Sequence, residues 1–233
     1  MTRSLHLLSG GAAQGLVQAV RAGFERAHGC ALQGRYGAVG AMQEALLAGD
    51  PCDLVILSQA LVDGLVAQGR LDGASRTVLG RVHTGIAVPS GRAHPDVSTP
   101  PALRAALLAA EAIHFPDPVK ATAGIHFARV LGELGIAEAV ATRLRPHPNG
   151  NAAMAAMAAG GQPGAIGCTQ RTEILFTAGV EWVGALPAPH GLATVYCGAV
   201  GRMAQEPGLA NALLALLAEP ASQAQRAAAG FED

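Results

Sequence analysis

The chain has 233 residues, is 50% hydrophobic and carries a formal net charge of −1. A chain of this length can bury a sizeable core, as one large domain or as two small ones. The near-zero charge gives no electrostatic footprint for nucleic acid or for an acidic membrane surface, so we expect neither as a partner.

The predicted elements begin with an apolar strand at 5–8, a tight turn at Ser9-Gly10-Gly11 and an amphipathic helix from Leu16 to Phe24. Further strand patterns lie at 31–36, 53–58, 84–88, 112–115, 165–169, 180–186 and 194–200. Helical patterns lie at 41–48, 61–66, 99–108, 124–134, 152–159, 172–178, 208–218 and 221–229. This alternation predicts an α/β protein with mostly parallel sheets flanked by helices.

Two strand patterns of similar character, 84–88 and 194–200, bracket the middle of the chain. We interpret them as crossings between two lobes, one formed by 1–84 with 190–233 and the other by 85–189. Ligands of such folds bind where the carboxyl ends of strands meet helix N-termini. The sequence therefore predicts a ligand cleft between the two lobes.

Cysteine usage and the start of the chain indicate the compartment. Cys30, Cys52, Cys168 and Cys197 are widely spaced, which argues against a zinc site and favours free buried thiols over a single disulfide bridge. No apolar run reaches the ~18 residues that span a bilayer. No signal-peptide pattern precedes the first strand. We expect a cytoplasmic protein without membrane insertion, or a periplasmic one if a leader was trimmed.

Four junctions between an extended segment and a helix consist of small or polar residues. A helix start leaves backbone N–H groups unpaired, and the helix dipole behind them favours an anion. Each junction alone could be an ordinary connection, but four together predict a binding site. They are Ser9-Gly10-Gly11, Gly37-Ala38-Val39-Gly40, Lys120-Ala121-Thr122-Ala123-Gly124 and Asn149-Gly150-Asn151.

These junctions lie within motifs that run through almost the whole chain. The motifs are Leu-Ser-Gly-Gly-Ala at 8–12, Tyr-Gly-x-x-Gly-Ala at 36–41, Leu-Leu-Ala-Gly-Asp-Pro-x-Asp-Leu-Val-Ile-Leu at 46–57, Ser-x-Pro-x-Ala-Leu at 98–103 and Asp-Pro-x-x-x-x-Ala-Gly-Ile-His-Phe-Ala-Arg-Val-Leu at 117–131. Their order resembles the molybdate-binding proteins, the type II periplasmic solute-binding proteins of transport systems. The resemblance implies a two-lobed, hinged fold that closes on a small ligand, with an ABC transporter permease as a possible partner.

The family's ligand contacts carry over only in part. It holds its oxyanion with two serine hydroxyls, two backbone amides at helix starts of the second lobe and a tyrosine hydroxyl. The positions here are Gly11 (with Ser9 nearby) and Val39 for the serines, Gln170 for the tyrosine, and Ala123 and Asn151 for the amides. Each lost charge-assisted bond is worth about 1.5–3 kcal/mol, so molybdate and tungstate are not the expected ligands.

Lys120 is the single lysine among 16 basic residues, and it lies directly before a predicted helix start. It is either a ligand contact or a solvated loop lysine. Together with helix-start amides, such a cation suits an organic carboxylate or a smaller anion. The other polar residues predicted at this site are Asn149, Asn151, Thr169 and Gln170.

The sequence contains no readable catalytic constellation, phosphate loop or metal-ligand cluster, so we expect no metal and no cofactor and assign no catalytic residue. His126, His147 and His190 are read as structural or exposed. Two functions stay open. The chain is either a solute-binding protein that captures a small anion for transport or sensing, or a cytoplasmic enzyme on the same fold. As an enzyme it would isomerise an unsaturated di- or tricarboxylate, as aconitate isomerase does, by an allylic proton shift with Lys120 or His147 as base.

Overall fold

The computed structural model describes residues 3–233, which form two compact units. The first unit comprises the chain up to Val82 together with Thr194–Asp233, and the second is His83–Ala193. The chain therefore passes from one unit to the other within two strands. The lobe boundaries suggested by the sequence differ from these limits by a few residues.

The regular elements alternate along the chain. The strands are β1 (Arg3–Gly10), β2 (Cys30–Gly37), β3 (Leu54–Ser58), β4 (Thr77–Pro89), β5 (Ala112–Pro116), β6 (Leu144–His147), β7 (Ala165–Gln170), β8 (Val180–Ala185) and β9 (Ala193–Val200). The helices are α1 (Gln14–His28), α2 (Val39–Leu47), α3 (Gln59–Ala67), α4 (Pro100–Ala109), α5 (Thr122–Glu133), α6 (Ala137–Val140), α7 (Gly150–Gly160), α8 (Arg171–Phe176), α9 (Pro207–Ala218) and α10 (Gln223–Ala228). Short 3-10 turns cover Gly11–Ala13, Gly73–Ser75, Ala141–Arg143 and Pro220–Ser222.

In the first unit, β2, β1 and β3 are parallel neighbours, and β9 runs antiparallel beside β3. The register pairs Gly10 with Gly37 and Ser9 with Ile56. Because parallel strands end at the same edge of a sheet, the starts of α1, α2 and α3 lie along one edge. The core behind them packs strand residues such as Leu5, Leu7 and Leu54, each at most 1% exposed, against α1 and α9.

Asp53, in the sequence motif at 46–57, connects this sheet to α9. Its carboxylate accepts hydrogen bonds from the backbone N–H groups of His6 (2.8 Å), Gln205 (2.6 Å) and Glu206 (3.0 Å), and the residue is 1% exposed. A buried charge is tolerated when it is hydrogen-bonded, and a helix N-terminus favours a negative one. The aspartate therefore has a structural role.

In the second unit, β7, β5 and β6 are parallel neighbours, while β4 runs antiparallel to both β7 and β8. The register pairs Pro116 with His147 and His114 with Gly167. The carboxyl ends of β5, β6 and β7 therefore meet at one edge, from which the chain enters α5, α7 and α8. Phe115 and Phe127 lie in the core, with ring centroids 5.5 Å apart in an edge-on contact.

The sequence patterns missed three features. Neither β6 nor α6 was expected, and β4 begins at Thr77 rather than at 84. Several helices begin about two residues earlier than predicted; for example, α2 begins at Val39 and α7 at Gly150. All four cysteines are free thiols. Across residues 3–233, no helix has both the length and the apolar character needed to cross a membrane.

Candidate functional site

The residues predicted in the first unit lie along the carboxyl edge of β1 and β2. Ser9 is fully buried, and its hydroxyl donates a hydrogen bond to the carbonyl oxygen of Gly10 at 2.9 Å. Gly11 opens the 3-10 turn that leads into α1. The hydroxyl proton of Ser9 is therefore already used in a hydrogen bond within the turn. The polar groups that remain at this junction are those of the backbone.

The start of α2 is an uncapped helix start. Ala38 is the N-cap residue, and no side chain in the described part of the protein caps the helix there. The first intrahelical bond runs from the N–H of Met42 to the carbonyl of Ala38 at 3.0 Å. The N–H groups of Val39, Gly40 and Ala41 therefore precede the helical ladder.

The α5 start, which we define as Lys120–Gly124, has the same character in the second unit. Ala121 is the N-cap residue and provides no side-chain cap, and the ladder begins with the N–H of Ile125 bonded to the carbonyl of Ala121 at 2.9 Å. The N–H groups of Thr122, Ala123 and Gly124 have no acceptor within residues 3–233. Ala123 is only 3% exposed, so these donors lie at a largely buried helix end.

The loop before α5 is folded tightly onto the helix. The carboxylate of Asp117 accepts hydrogen bonds from the N–H groups of Val119 (2.7 Å) and Lys120 (2.9 Å). A Cβ atom at Gly124 would clash with the carbonyl oxygens of Pro116 and Asp117. Glycine at this position therefore lets the loop pass close to the helix and bring Lys120 to the α5 start.

The α7 start, which we define as Asn149–Ala152, is closed by the chain itself. The side-chain oxygen of Asn149 accepts from the N–H of Ala152 at 2.9 Å. The carboxylate of Glu173 on α8 accepts from the N–H groups of Gly150 and Asn151. All three donors that precede the helical ladder are thus bonded within the protein.

Glu173 is 5% exposed, and its carboxylate lies among hydrogen-bond donors. Thr169 donates its hydroxyl proton to the Glu173 carboxylate at 2.5 Å, and the Gln170 N–H donates to it as well. Burial raises the pKa of Glu173 to about 7, although these hydrogen bonds act in the opposite direction. Gly150 permits the arrangement, because a Cβ atom there would clash with Glu173 and Thr169.

Two histidines lie directly beneath this edge. His114 Nδ1 and His147 Nε2 are 3.1 Å apart, and the two rings stack with centroids 5.2 Å apart. Burial lowers the pKa of both imidazoles, and the neighbouring His147 and Arg145 lower that of His114 further. A neutral pair of this kind can accept a proton.

The other two histidines named by the sequence belong to a structural network. His126 Nε2 lies 2.7 Å from the carbonyl oxygen of His190, and His190 Nδ1 lies 2.9 Å from the carboxylate of Glu133. Both rings are buried. The network fixes the loop that contains His190 against α5.

All of the residues predicted in the second unit therefore gather at the carboxyl edge of β7, β5 and β6, and those of the first unit at the carboxyl edge of β2 and β1. Two recesses of the first unit, of about 450 and 290 Å³, are lined by none of these residues. Within the described chain, no cluster of three or more His, Cys, Asp or Glu side chains is placed to hold a metal ion.

Two residues at these edges escaped the sequence analysis. The sequence signal of Glu173 was weak: it is an acidic residue four positions after the predicted strand 165–169. Ser58 ends β3 and is the N-cap residue of α3, so its hydroxyl lies at the same edge as Gly10 and Ala38. A hydroxyl at a strand-to-helix junction was the signal that could have identified it.

The architecture is that of the type II periplasmic binding proteins. The structure superimposes on the periplasmic molybdate-binding protein of Azotobacter vinelandii with a TM-score of 0.78 and 18% identity, over 98% of this chain and 99% of that one. It matches the sulfate-binding protein of Mycobacterium tuberculosis with a TM-score of 0.76 and 17% identity, over 98% and 86% of the two chains.

The sequence itself places the chain in a family. Residues 5–232 match the model of the bacterial extracellular solute-binding proteins, and the chain belongs to that family. A curated relative, the aconitate isomerase of a Pseudomonas species, is 28% identical over 221 residues, which cover 92% of this chain and 82% of that protein. The resemblance to solute-binding proteins and their isomerase-like relatives is thereby confirmed.

Proposed function

We propose that this member of the solute-binding family takes up a small organic anion, with the α5 start as its main charge contact in the second unit. The main support for this proposal is that backbone donors and a lysine occur together at the α5 start. Three backbone N–H groups have no acceptor within the described chain, and the single lysine of the sequence lies directly before them. Helix dipole, oriented amides and a cation together favour a carboxylate.

A carboxylate fits better than a tetrahedral oxyanion because few hydroxyl donors remain. The hydroxyl protons of Ser9 and Thr169 are already used within the chain. Backbone amides and Lys120 can hold the two oxygens of a carboxylate. A compact dianion would need further donors to replace its hydration shell.

The relatives suggest a transport partner for this protein and the compartment in which it binds its ligand. Among the solved structures of this fold is a substrate-binding domain of a molybdenum ABC transporter from Clostridium difficile, matched with a TM-score of 0.66. We therefore propose an ABC permease as the partner and a site of action outside the cytoplasmic membrane, as the family description indicates. Closure of the two lobes on the ligand stays a prediction from the sequence.

Thermal shift is the direct test of the proposal. The protein is melted with acetate, malonate, citrate, trans-aconitate, sulfate and molybdate, and a bound carboxylate should raise the melting temperature by mass action. Lys120→Met should abolish that rise, while Arg92→Met, which removes an exposed cation of the same unit, should preserve it. An unchanged rise in Lys120→Met would remove Lys120 from the site.

A second candidate function is isomerisation of an unsaturated carboxylate, favoured by the relative named aconitate isomerase. The His114–His147 pair lies at the carboxyl edge of the sheet and offers a neutral imidazole as base. Incubating trans-aconitate in D₂O and following its proton NMR spectrum tests this function. Catalysis would be established if the wild type incorporates deuterium or forms a new isomer and if His147→Gln does neither. An unchanged spectrum of a bound ligand would leave binding alone.

A further inference from the structure

We propose that Glu173 determines the charge selectivity of the anion site. Its carboxylate takes the place at the α7 start that a second negative group of a ligand would take, so the second unit accepts one carboxylate and disfavours compact dianions. This inference rests on the proposed function, because it presumes that an anion binds at the α5 start.

The two helix starts at this edge differ in the number of backbone N–H groups that lack an acceptor within the protein. At the α7 start, Asn149 and Glu173 accept all three N–H groups that precede the helical ladder. At the α5 start, the three equivalent groups have no acceptor within residues 3–233. A ligand anion at this edge therefore finds its amides at α5.

The α5 start and the α7 start are neighbours at one edge of the sheet. β5 leads into α5 and β6 leads into α7, and these strands are parallel neighbours whose register pairs Pro116 with His147. The two helices therefore begin at the same edge of one sheet. An anion held at α5 experiences the field of whatever charge lies at α7.

The negative charge of Glu173 changes the electrostatic character of the α7 start. Ionised Glu173 carries a full negative charge, which exceeds the roughly half charge of a helix N-terminus. The hydrogen-bond partners of its carboxylate are a hydroxyl and backbone amides, which are neutral groups. The α7 start therefore repels a second negative charge instead of attracting one.

The experiment uses two anions of similar shape and different charge. Sulfate is a dianion, and methanesulfonate replaces one of its oxygens with a methyl group and carries a single charge. Association constants of both are measured by calorimetry for the wild type and for Glu173→Gln, which is close in size, removes the charge and replaces one acceptor oxygen with an NH2 group. Glu181→Gln is the matched control, because Glu181 is an exposed carboxylate on β8 of the same unit.

The ratio of the sulfate constant to the methanesulfonate constant should rise by at least about tenfold in Glu173→Gln and by less than about twofold in Glu181→Gln. An unchanged ratio in Glu173→Gln, or an equal rise in both variants, would overturn the inference. If that happens while binding still depends on Lys120, the proposed function survives alone. If neither anion nor any carboxylate binds in a manner sensitive to Lys120, both fall.

A measurement on the unmodified protein keeps the inference testable if Glu173→Gln does not fold. Both probe anions hold a constant charge between pH 6.5 and 8.5, whereas Glu173 changes its charge in this range. The ratio for the wild type should therefore fall as the pH rises, and a flat ratio would contradict the inference. Of the other charged groups nearby, Glu181 on β8 and the His114–His147 pair have lowered pKa values, and Arg171 lies on α8 two residues before Glu173.

Discussion

The α5 start and the α7 start look alike in the sequence and differ in the structure. Both follow neighbouring parallel strands, and both consist of small and polar residues. At α7 the chain supplies a cap from Asn149 and a carboxylate from Glu173. At α5 it supplies neither, and the only lysine lies beside the helix end.

A helix N-terminus is available to an anion only where its backbone N–H groups have no acceptor within the protein. The helix dipole has the same direction at the α5 start and at the α7 start. At the α7 start, however, a buried carboxylate of the protein already accepts hydrogen bonds from the backbone donors. The following variants alter one helix start and leave the other in place.

The largest effect is expected from Gly124→Ala at the α5 start. The added Cβ would clash with the carbonyl oxygens of Pro116 and Asp117, which cannot rotate away. We expect the free energy of unfolding to fall by about 3 kcal/mol, measured by chemical denaturation. Gly132→Ala in the same helix is the control, because a Cβ there meets nothing within 4 Å. It should stabilise the protein by roughly 0.5–1 kcal/mol. Equal effects of the two variants would refute the close packing of the loop.

The second effect concerns the pH dependence of stability at α7. Because the pKa of Glu173 is raised from 4.5 to about 7 in the folded state, the folded protein binds more protons than the unfolded chain between these values. The contribution of Glu173 to the free energy of unfolding is therefore greatest below pH 4.5 and is lost as the pH rises through about 7. Between pH 5 and 8, the wild type should lose roughly 2–3 kcal/mol relative to Glu173→Gln. Parallel pH profiles of the two proteins would show that Glu173 titrates normally.

A smaller effect is expected from Asn149→Ala, which removes the side-chain cap of α7. The loss should be about 1 kcal/mol in the free energy of unfolding, as for other helix caps. Asn211→Ala on the exposed side of α9 serves as the control, since its side-chain amide donates an exposed hydrogen bond to the carbonyl of Pro207 within its own helix. A loss no greater than that of the control would mean that Glu173 alone satisfies the α7 start.

The smallest effect on stability should come from Ala121→Ser, which gives α5 the kind of cap that α7 has. The N-cap backbone is already extended, with φ −101° and ψ 128°, so a serine hydroxyl can reach the Thr122–Gly124 amides. We expect a gain of about 0.5 kcal/mol together with a weaker thermal shift from a bound carboxylate. An unaltered thermal shift would separate ligand binding from the α5 amides.

Much of this organisation could be predicted from local patterns. Apolar runs such as 53–58, and helical spacing from Leu16 to Phe24, located strands and helices because burial imposes a period on the chain. The short strand Leu144–His147 was missed, since its polar and proline-containing sequence has no such period. The contact of Glu173 with Gly150 joins residues distant in the chain, and no local pattern reports it.

By itself, the sequence determined the α/β class, the family and the positions of the helix starts, because these follow from periodicity and from motifs read along the chain. Only the tertiary structure decided which helix start is open. That outcome depends on Glu173 of α8, whose side chain reaches the start of α7. A buried donor is satisfied or left free by contacts between residues that are distant in the chain.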